Sequence, residues 1–130
     1  IGTQAGERAA FDGPDTVIAG TQRIQAKRFV VATGSRPAVP PISGLDKITY
    51  FTNETIFAAT EPIEHLLVIG GGPIGVELAQ AQMRLGSRVT LVEMARLLPK
   101  DDADLVEPLR QALVEDGVDL HEGSSIVRLE

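Results

Sequence analysis

The sequence contains no cysteine and no tryptophan, and only 4% of its residues are aromatic. Without cysteine, the chain can form no disulfide and offers neither a thiolate nucleophile nor a cysteine-ligated metal. Its two histidines, His65 and His121, have no matching metal-binding residue at short spacing, so we predict no metal site. The acidic residues Asp101, Asp102 and Asp104 are better explained as the cap of a helix than as a metal cluster.

Positive charge is also scarce. The sequence has 12 Lys and Arg against 18 Asp and Glu, which gives a net charge of −6. A nucleic-acid surface needs a basic face, so no nucleic-acid partner is expected. The apolar runs are far too short to span a bilayer, and the start does not resemble a signal peptide. We therefore expect no membrane partner and a cytoplasmic location. Both ends of the sequence look like cuts through a longer chain, so we predict that it is a piece of a larger protein. The 43% of hydrophobic residues predicts that this piece is folded.

The most informative stretch begins with four apolar residues, Leu66 to Ile69, as in a strand covered on both faces. Gly70, Gly72 and Gly75 follow in G-x-G-x-x-G spacing. In this arrangement the first glycine permits a tight turn and the second lets a pyrophosphate approach the backbone. The third lets a helix lie close to the sheet. Pro73 suits the first helical turn, where its missing N–H has no partner.

The residues after the glycines predict a helix from about Pro73 to Leu85, which Gly86 ends, and a second strand over residues 88–92. Glu93 stands at the end of that strand, where a carboxylate accepts hydrogen bonds from a ribose diol and repels a 2′-phosphate. The predicted inward face of the helix is Ile74, Leu78, Ala81 and Leu85. Together these features predict dinucleotide binding, because the strand, helix and acid that the glycine motif requires are all present. Arg96 keeps an NADPH-preferring alternative open, since arginine can pair with a 2′-phosphate.

The remaining segments complete an α/β prediction: a Rossmann-like parallel sheet with an antiparallel β-meander. The predicted meander strands are residues 8–11, 16–19 and 22–25, and a further apolar strand begins at residue 28 and runs into Thr33 and Gly34. A second helix is expected to begin at residues 102–104, to tolerate Pro108 near its first turn, and to bury Leu105, Leu109, Ala112 and Leu113. The other predicted elements are a short helix over residues 53–59 and strands over 118–121 and 125–129.

Two motifs in this order carry a family resemblance: the Ala-Thr-Gly strand at residues 29–37 and the Gly-x-Gly-x-x-Gly-x-Glu run at residues 70–77. With the proline-rich linker between them, they resemble the FAD-dependent pyridine nucleotide-disulfide oxidoreductases, in particular the dihydrolipoyl dehydrogenase and mercuric reductase branch. The resemblance covers essentially the whole chain. It implies an oxidoreductase whose intact form uses NADH and FAD, passes hydride from NADH to FAD, and is a homodimer.

The resemblance also implies roles for individual residues. Thr33 and Gly34 would approach the flavin nucleotide, Glu93 would bind the ribose, and Ile126 would pack near the adenine. Glu77 would face the flavin–nicotinamide junction. The implied cofactor-binding set is Gly70, Gly71, Gly72, Pro73, Ile74, Gly75, Glu77, Glu93, Ile126, Thr33 and Gly34. No catalytic residue is assigned, because the redox cysteines and their lysine are missing from this chain.

The resemblance divides the chain into residues 1–37, the end of an FAD-type domain, residues 38–62, a linker with a short helix, and residues 63–130, a truncated NAD(P)H-binding domain. The chain alone is therefore expected to be inactive. A regulatory NAD-binding module is an alternative, although about half of this chain precedes the glycine turn. An ordinary dehydrogenase half is a weaker one. We further hypothesise that residues 28–32 pair with residues 66–69 and complete the sheet. Without that pairing, the edge of the sheet at residues 66–69 would expose unpaired backbone N–H and C=O groups.

Overall fold

A computed structural model of the chain describes residues 6–130. The first five residues of the predicted FAD-type segment lie outside the described range. The chain divides into two compact units between Arg36 and Pro37, and each unit is considered by itself.

The first unit contains the predicted antiparallel meander. Its strands are β1 (Ala9–Phe11), β2 (Thr16–Ala19) and β3 (Gln22–Gln25), in the order β1-β2-β3. Side chains around the first turn add to the strand pairing, because Arg23 forms an ion pair with Asp12 and Gln25 donates to Asp15 at 2.6 Å. The alternation of polar and apolar residues thus predicted these strands correctly.

The strand predicted from residue 28 onwards is wrong. Residues 28–37 form no strand, and Val30 and Val31 are 92% and 71% exposed. An apolar run becomes a strand only where neighbouring strands accept its backbone hydrogen bonds, and residues 28–32 pair with no strand in the described chain. The hypothesis that they complete the sheet beside residues 66–69 is therefore also wrong.

The second unit is built on a three-stranded parallel sheet in the order β4-β5-β6. Along the chain its elements are β4 (His65–Ile69), α1 (Pro73–Arg84), β5 (Arg88–Val92), α2 (Ala103–Glu115) and β6 (Asp119–His121). Ile69 is paired with Val92, so the first two strands end side by side. The predicted α/β fold, a parallel sheet together with an antiparallel meander, is confirmed.

The core of this unit lies between the sheet and the two helices. Alternate residues of β5, Val89 and Leu91, are fully buried, as expected for the covered face of a strand. The buried residues that form one apolar cluster are Val76, Ala79, Val89, Leu91, Leu97, Val106, Leu113 and Val118.

The predicted inward face of α1 is wrong by about half a turn, because the buried residues lie on the side of the helix opposite to the predicted stripe. Val76 and Ala79 are the buried residues of this helix, whereas Ile74 and Leu85 are 54% and 79% exposed. The orientation follows from Gly75, which lies against the carbonyl oxygen of Gly70 and turns the neighbouring Val76 towards the core. Apolar spacing alone could not choose between two apolar stripes on opposite sides of the same helix.

The second helix follows its prediction more closely. Asp102 caps α2 by accepting a hydrogen bond from the N–H of Asp104 at 3.1 Å, and Pro108 is tolerated within the helix. Leu113 is buried and Leu109 packs on the core, but Leu105 is 77% exposed and Val106 takes its place. The inward face is therefore predicted in part.

Two further elements are shorter than predicted. The helix expected over residues 53–59 is a single 3₁₀ turn, Ile56–Ala58, and another such turn spans Leu45–Lys47. The strand expected over residues 125–129 is only an isolated bridge between Arg128 and Ser43. Within residues 6–130, no helix is long and apolar enough to cross a membrane.

Candidate functional site

The glycine turn connects the end of β4 to the start of α1. Gly70 has φ +109°, which is left-handed backbone that favours glycine, and its N–H donates to the carbonyl of Val92 at 2.9 Å. The turn therefore leaves β4 sharply while its first peptide stays bonded to the neighbouring strand β5. This is the geometry that the first glycine of the motif predicts.

The other two motif glycines have different surroundings. A Cβ on Gly75 would overlap the carbonyl oxygen of Gly70, so only glycine permits this contact between helix and turn. A Cβ on Gly72 would meet no atom within 4 Å and would project into open space. Packing within the protein therefore requires glycine at position 75, whereas no contact within the protein requires glycine at position 72.

The start of α1 is open to an anion. Gly72 is the N-cap residue, so no side chain caps the helix, and the first turn carries no acidic residue. The N–H groups of Ile74 and Gly75 lie in the first turn, where an α-helix offers them no acceptor, and the helix dipole adds partial positive charge. This combination favours a phosphate group at this position.

Glu93 lies directly beside the turn. Its carboxylate accepts hydrogen bonds from the N–H of Gly71 at 2.6 Å and from the N–H of Ala95 at 2.8 Å. A carboxylate has about four acceptor positions, so two of them are used and two remain for other donors. The structure therefore brings Glu93 and the glycine turn together, and it gives Glu93 a second role as an anchor of that turn.

Residues 94–102, which we call the β5–α2 loop, cover the other side of Gly71. The N–H of Leu98 donates to the carbonyl of Gly71 at 2.9 Å, and a Cβ on Gly71 would lie 2.6 Å from the buried Leu97 side chain. Arg96 donates to the carbonyls of Pro99 and Asp101 at 3.2 and 2.6 Å. Its guanidinium is therefore occupied in closing the loop.

A partly buried polar contact behind the loop is absent from the sequence predictions. Glu122, just after β6, accepts hydrogen bonds from the N–H of Leu97 at 2.6 Å and from Nε and Nη2 of Arg110 at 2.6 and 2.9 Å. The Arg110 hydrogen bonds, reinforced by the Leu97 N–H, hold the pKa of Glu122 below its usual range against the opposing effect of burial. No local pattern indicates the pair, because only the folding of α2 onto β6 brings the two residues together.

The remaining predicted site residues are spread more widely. Pro73, Ile74 and Glu77 are exposed on the first turns of α1, and Ile126 is half-buried in the segment after β6. Thr33 and Gly34 are exposed and belong to the first unit. Gly34 has φ +74°, and a Cβ there would meet no atom within 4 Å.

The residues at the turn fit the diphosphate and one ribose of a dinucleotide. Bare N–H groups at a helix start suit the diphosphate, the space at Gly72 permits close approach, and the remaining acceptor positions of Glu93 suit ribose hydroxyls. The described residues contain no group of three or more side chains that could hold a metal ion. Asp102, from the acidic run, instead caps α2.

A βαβ unit with this glycine turn defines a Rossmann-type fold. The chain belongs to the pyridine nucleotide-disulphide oxidoreductase family, whose profile matches residues 3–130. It is 40% identical over 123 residues to a mercuric reductase of Lysinibacillus sphaericus, with 94% of this chain and 22% of that protein covered. It is also 35% identical over 107 residues to a dihydrolipoyl dehydrogenase of Bacillus subtilis (strain 168), with 82% of this chain and 23% of that protein covered.

The solved structures give the same relationship. The HOCl-induced flavoprotein disulfide reductase RclA from Escherichia coli, as its Cu(II) complex, matches with a TM-score of 0.75 and 30% identity, over 94% of this chain and 28% of that one. The predicted family and its oxidoreductase class are confirmed, and the family implies use of a flavin and a pyridine nucleotide. The chain spans about a quarter of the length of these relatives.

Proposed function

We propose that this chain is the NADH-binding portion of a flavin-dependent disulfide oxidoreductase and that, in the intact enzyme, it serves to deliver hydride from NADH to FAD. The proposal rests on the contact between Glu93 and the glycine turn, in which the second glycine of the motif, Gly72, faces open space. The cofactors supply the redox chemistry, and the protein supplies binding and orientation.

The diphosphate of NADH is assigned to the start of α1. Gly72, Ile74 and Gly75 offer backbone N–H groups there, and the helix dipole favours the negative charge. Glu93 is assigned to the ribose, with Gly70 and Gly71 forming the turn that holds it in place. From the family resemblance, Pro73 is assigned to the nicotinamide side and Ile126 to the adenine.

A preference for NADH over NADPH follows from charge. The Glu93 carboxylate would repel a 2′-phosphate at the ribose. Arg96, the residue that could pair with that phosphate, donates instead to the carbonyls of Pro99 and Asp101. Releasing it would break hydrogen bonds that close the β5–α2 loop.

The other parts of the proposal come from the family. Residues 1–37 are assigned to the end of an FAD-type domain, 38–62 to a linker and 63–130 to the NADH-binding domain. Thr33 and Gly34 would approach the flavin and Glu77 would face the flavin–nicotinamide junction. The intact enzyme is proposed to be a homodimer, as the family resemblance implies, and to lie in the cytoplasm.

Gly72→Ala tests the diphosphate site. Because the added methyl group meets no protein atom, the free energy of unfolding should change by less than about 0.5 kcal/mol. Because the same methyl group occupies the space needed by the diphosphate, the affinity for NADH should fall by about tenfold or more. Fluorescence titration with NADH and urea unfolding of both proteins measure the two effects. Equal NADH affinity in both proteins would contradict the assignment.

Glu93→Gln tests the ribose site and the cofactor preference. Glutamine keeps one acceptor oxygen but removes the charge, so NADH should bind about tenfold more weakly, while the ratio of NADPH to NADH affinity should rise. Glu115→Gln removes an exposed carboxylate from the end of α2 and serves as the matched control. An unchanged ratio in Glu93→Gln, or the same change in the control, would count against the proposal.

A further inference from the structure

The β5–α2 loop contacts both functional parts of the nucleotide site. Its Ala95 N–H donates to Glu93, and its Leu98 N–H donates to the carbonyl of Gly71. The loop also fills the space beside Gly71 with the buried Leu97 side chain. A displacement of the loop would therefore move the glycine turn and the ribose carboxylate together.

The conformation of this loop requires support. Leu98 has φ +45°, which is left-handed backbone that bulky side chains rarely adopt. Such strained residues persist only where the surrounding contacts over-determine them. Leu98 packs on the apolar core and bonds at both peptide groups, to Gly71 through its N–H and to Asp101 through its carbonyl.

The strongest polar support comes from Glu122. One carboxylate oxygen accepts from the Leu97 N–H and from Nη2 of Arg110, and the other accepts from Nε of Arg110. The side chains of Glu122 and Arg110 are only 23% and 28% exposed, so these charge-assisted hydrogen bonds are partly shielded from water. The carboxylate thus joins the end of β6, helix α2 and the loop at one point.

We propose that Glu122, oriented by Arg110, is a positioning residue of the nucleotide site. It fixes the peptide between Arg96 and Leu97, next to Leu98, and the loop in turn sets the carbonyl of Gly71 and the carboxylate of Glu93. The inference rests on the proposed function, because it assumes that NADH binds at this turn. It adds residues that lie behind the loop and touch no part of the proposed ligand.

The test compares three variants of the full chain. Glu122→Ala removes the acceptor for Leu97 and the partner of Arg110, and should weaken NADH binding about tenfold. Glu122→Gln keeps an oxygen for the Leu97 N–H and should recover part of that loss. Glu107→Gln is the matched control, since Glu107 also pairs with Arg110 but is half exposed on α2 and is not bonded to the loop.

A second measurement tests the contact between Glu122 and the loop directly. Amide hydrogen exchange at Leu97 and Leu98 should be faster in Glu122→Ala than in Glu107→Gln, with or without NADH. Arg110→Met, which leaves the carboxylate in place, should give a smaller change in the same direction and replaces Glu122→Ala if that variant does not fold.

The outcomes are distinct. If the parent chain binds NADH and Glu122→Ala binds it as tightly as Glu107→Gln, the inference is overturned and the proposed function stands. Unchanged exchange at Leu97 also overturns the inference. If the parent chain binds no NADH, the proposed function fails and the positioning role fails with it, whatever the exchange shows. Weaker NADH binding and faster exchange in Glu122→Ala, with partial recovery in Glu122→Gln, support the inference.

Discussion

Two segments of this protein share one sequence pattern, an apolar run followed by a glycine, and differ in structure. In the second unit the run at residues 66–69 is a parallel strand and leads into a defined turn at Gly70. In the first unit the run at residues 29–32 belongs to no strand, and Val30 and Val31 are exposed. The comparison shows that an apolar composition permits a strand, and that the strand forms only where a neighbouring strand pairs with it.

The largest expected difference between the two segments concerns their glycines. Gly75→Ala would force a methyl group into the carbonyl oxygen of Gly70, and it should lower the free energy of unfolding by about 4 kcal/mol or more. Gly34→Ala meets no atom and should cost only about 1 kcal/mol, the price of a left-handed backbone. Urea unfolding of both variants measures the difference, and equal losses would remove the distinction.

Truncation of apolar side chains should sharpen the comparison further. Leu113 is fully buried in the second unit, so Leu113→Ala should cost about 3 kcal/mol through lost burial and the cavity left behind. Val30 is 92% exposed, and Val30→Ala should change stability by less than about 0.5 kcal/mol. A large effect of Val30→Ala in thermal unfolding would show that residues 28–32 are packed in solution.

The acid response should also differ between the units. The pKa of Glu122 is lowered in the folded state by Arg110, so its stabilisation is present above the ordinary value of 4.5 and is lost as the pH falls through the lowered pKa. The stability advantage of the parent chain over Glu122→Gln should therefore shrink on acidification from pH 7 to below 4. Urea unfolding at several pH values checks this, and an advantage independent of pH would contradict it.

Asp15 provides the comparison from the first unit. Its pKa is also lowered, by hydrogen bonds from Gln25 and Thr16, so the sign is the same and the loss again occurs as the pH falls. Asp15 is exposed, however, and water screens such contacts. The advantage of the parent chain over Asp15→Asn should therefore change less with pH than the advantage over Glu122→Gln. A larger change for Asp15 would be the contrary result.

Much of the second unit could be predicted because local rules agree there. The apolar strand, the glycine spacing and the helix stop at Gly86 each specify structure over a few residues, and Glu93 follows at the distance the motif requires. The meander was predicted for the same reason, since its strands alternate and pair with their neighbours along the chain.

The parts that could not be predicted depend on contacts between distant residues. The inward face of α1 is decided by the contact of Gly75 with Gly70, which apolar spacing does not reveal. The Glu122–Arg110 pair depends on the docking of α2 beside β6. The apolar run at residues 29–32 has the composition of a strand, yet no sheet in the described chain includes it.

Bare peptide N–H groups at the start of α1 are proposed to bind the diphosphate of a dinucleotide. Amide chemical shifts of the ¹⁵N-labelled chain, followed during titration with NADH, test it most directly. The largest shifts should occur at Gly72, Ile74 and Gly75 and should saturate, while the amides of Val31 and Gly34 should change little. Shifts centred elsewhere, or none at saturating NADH, would contradict it.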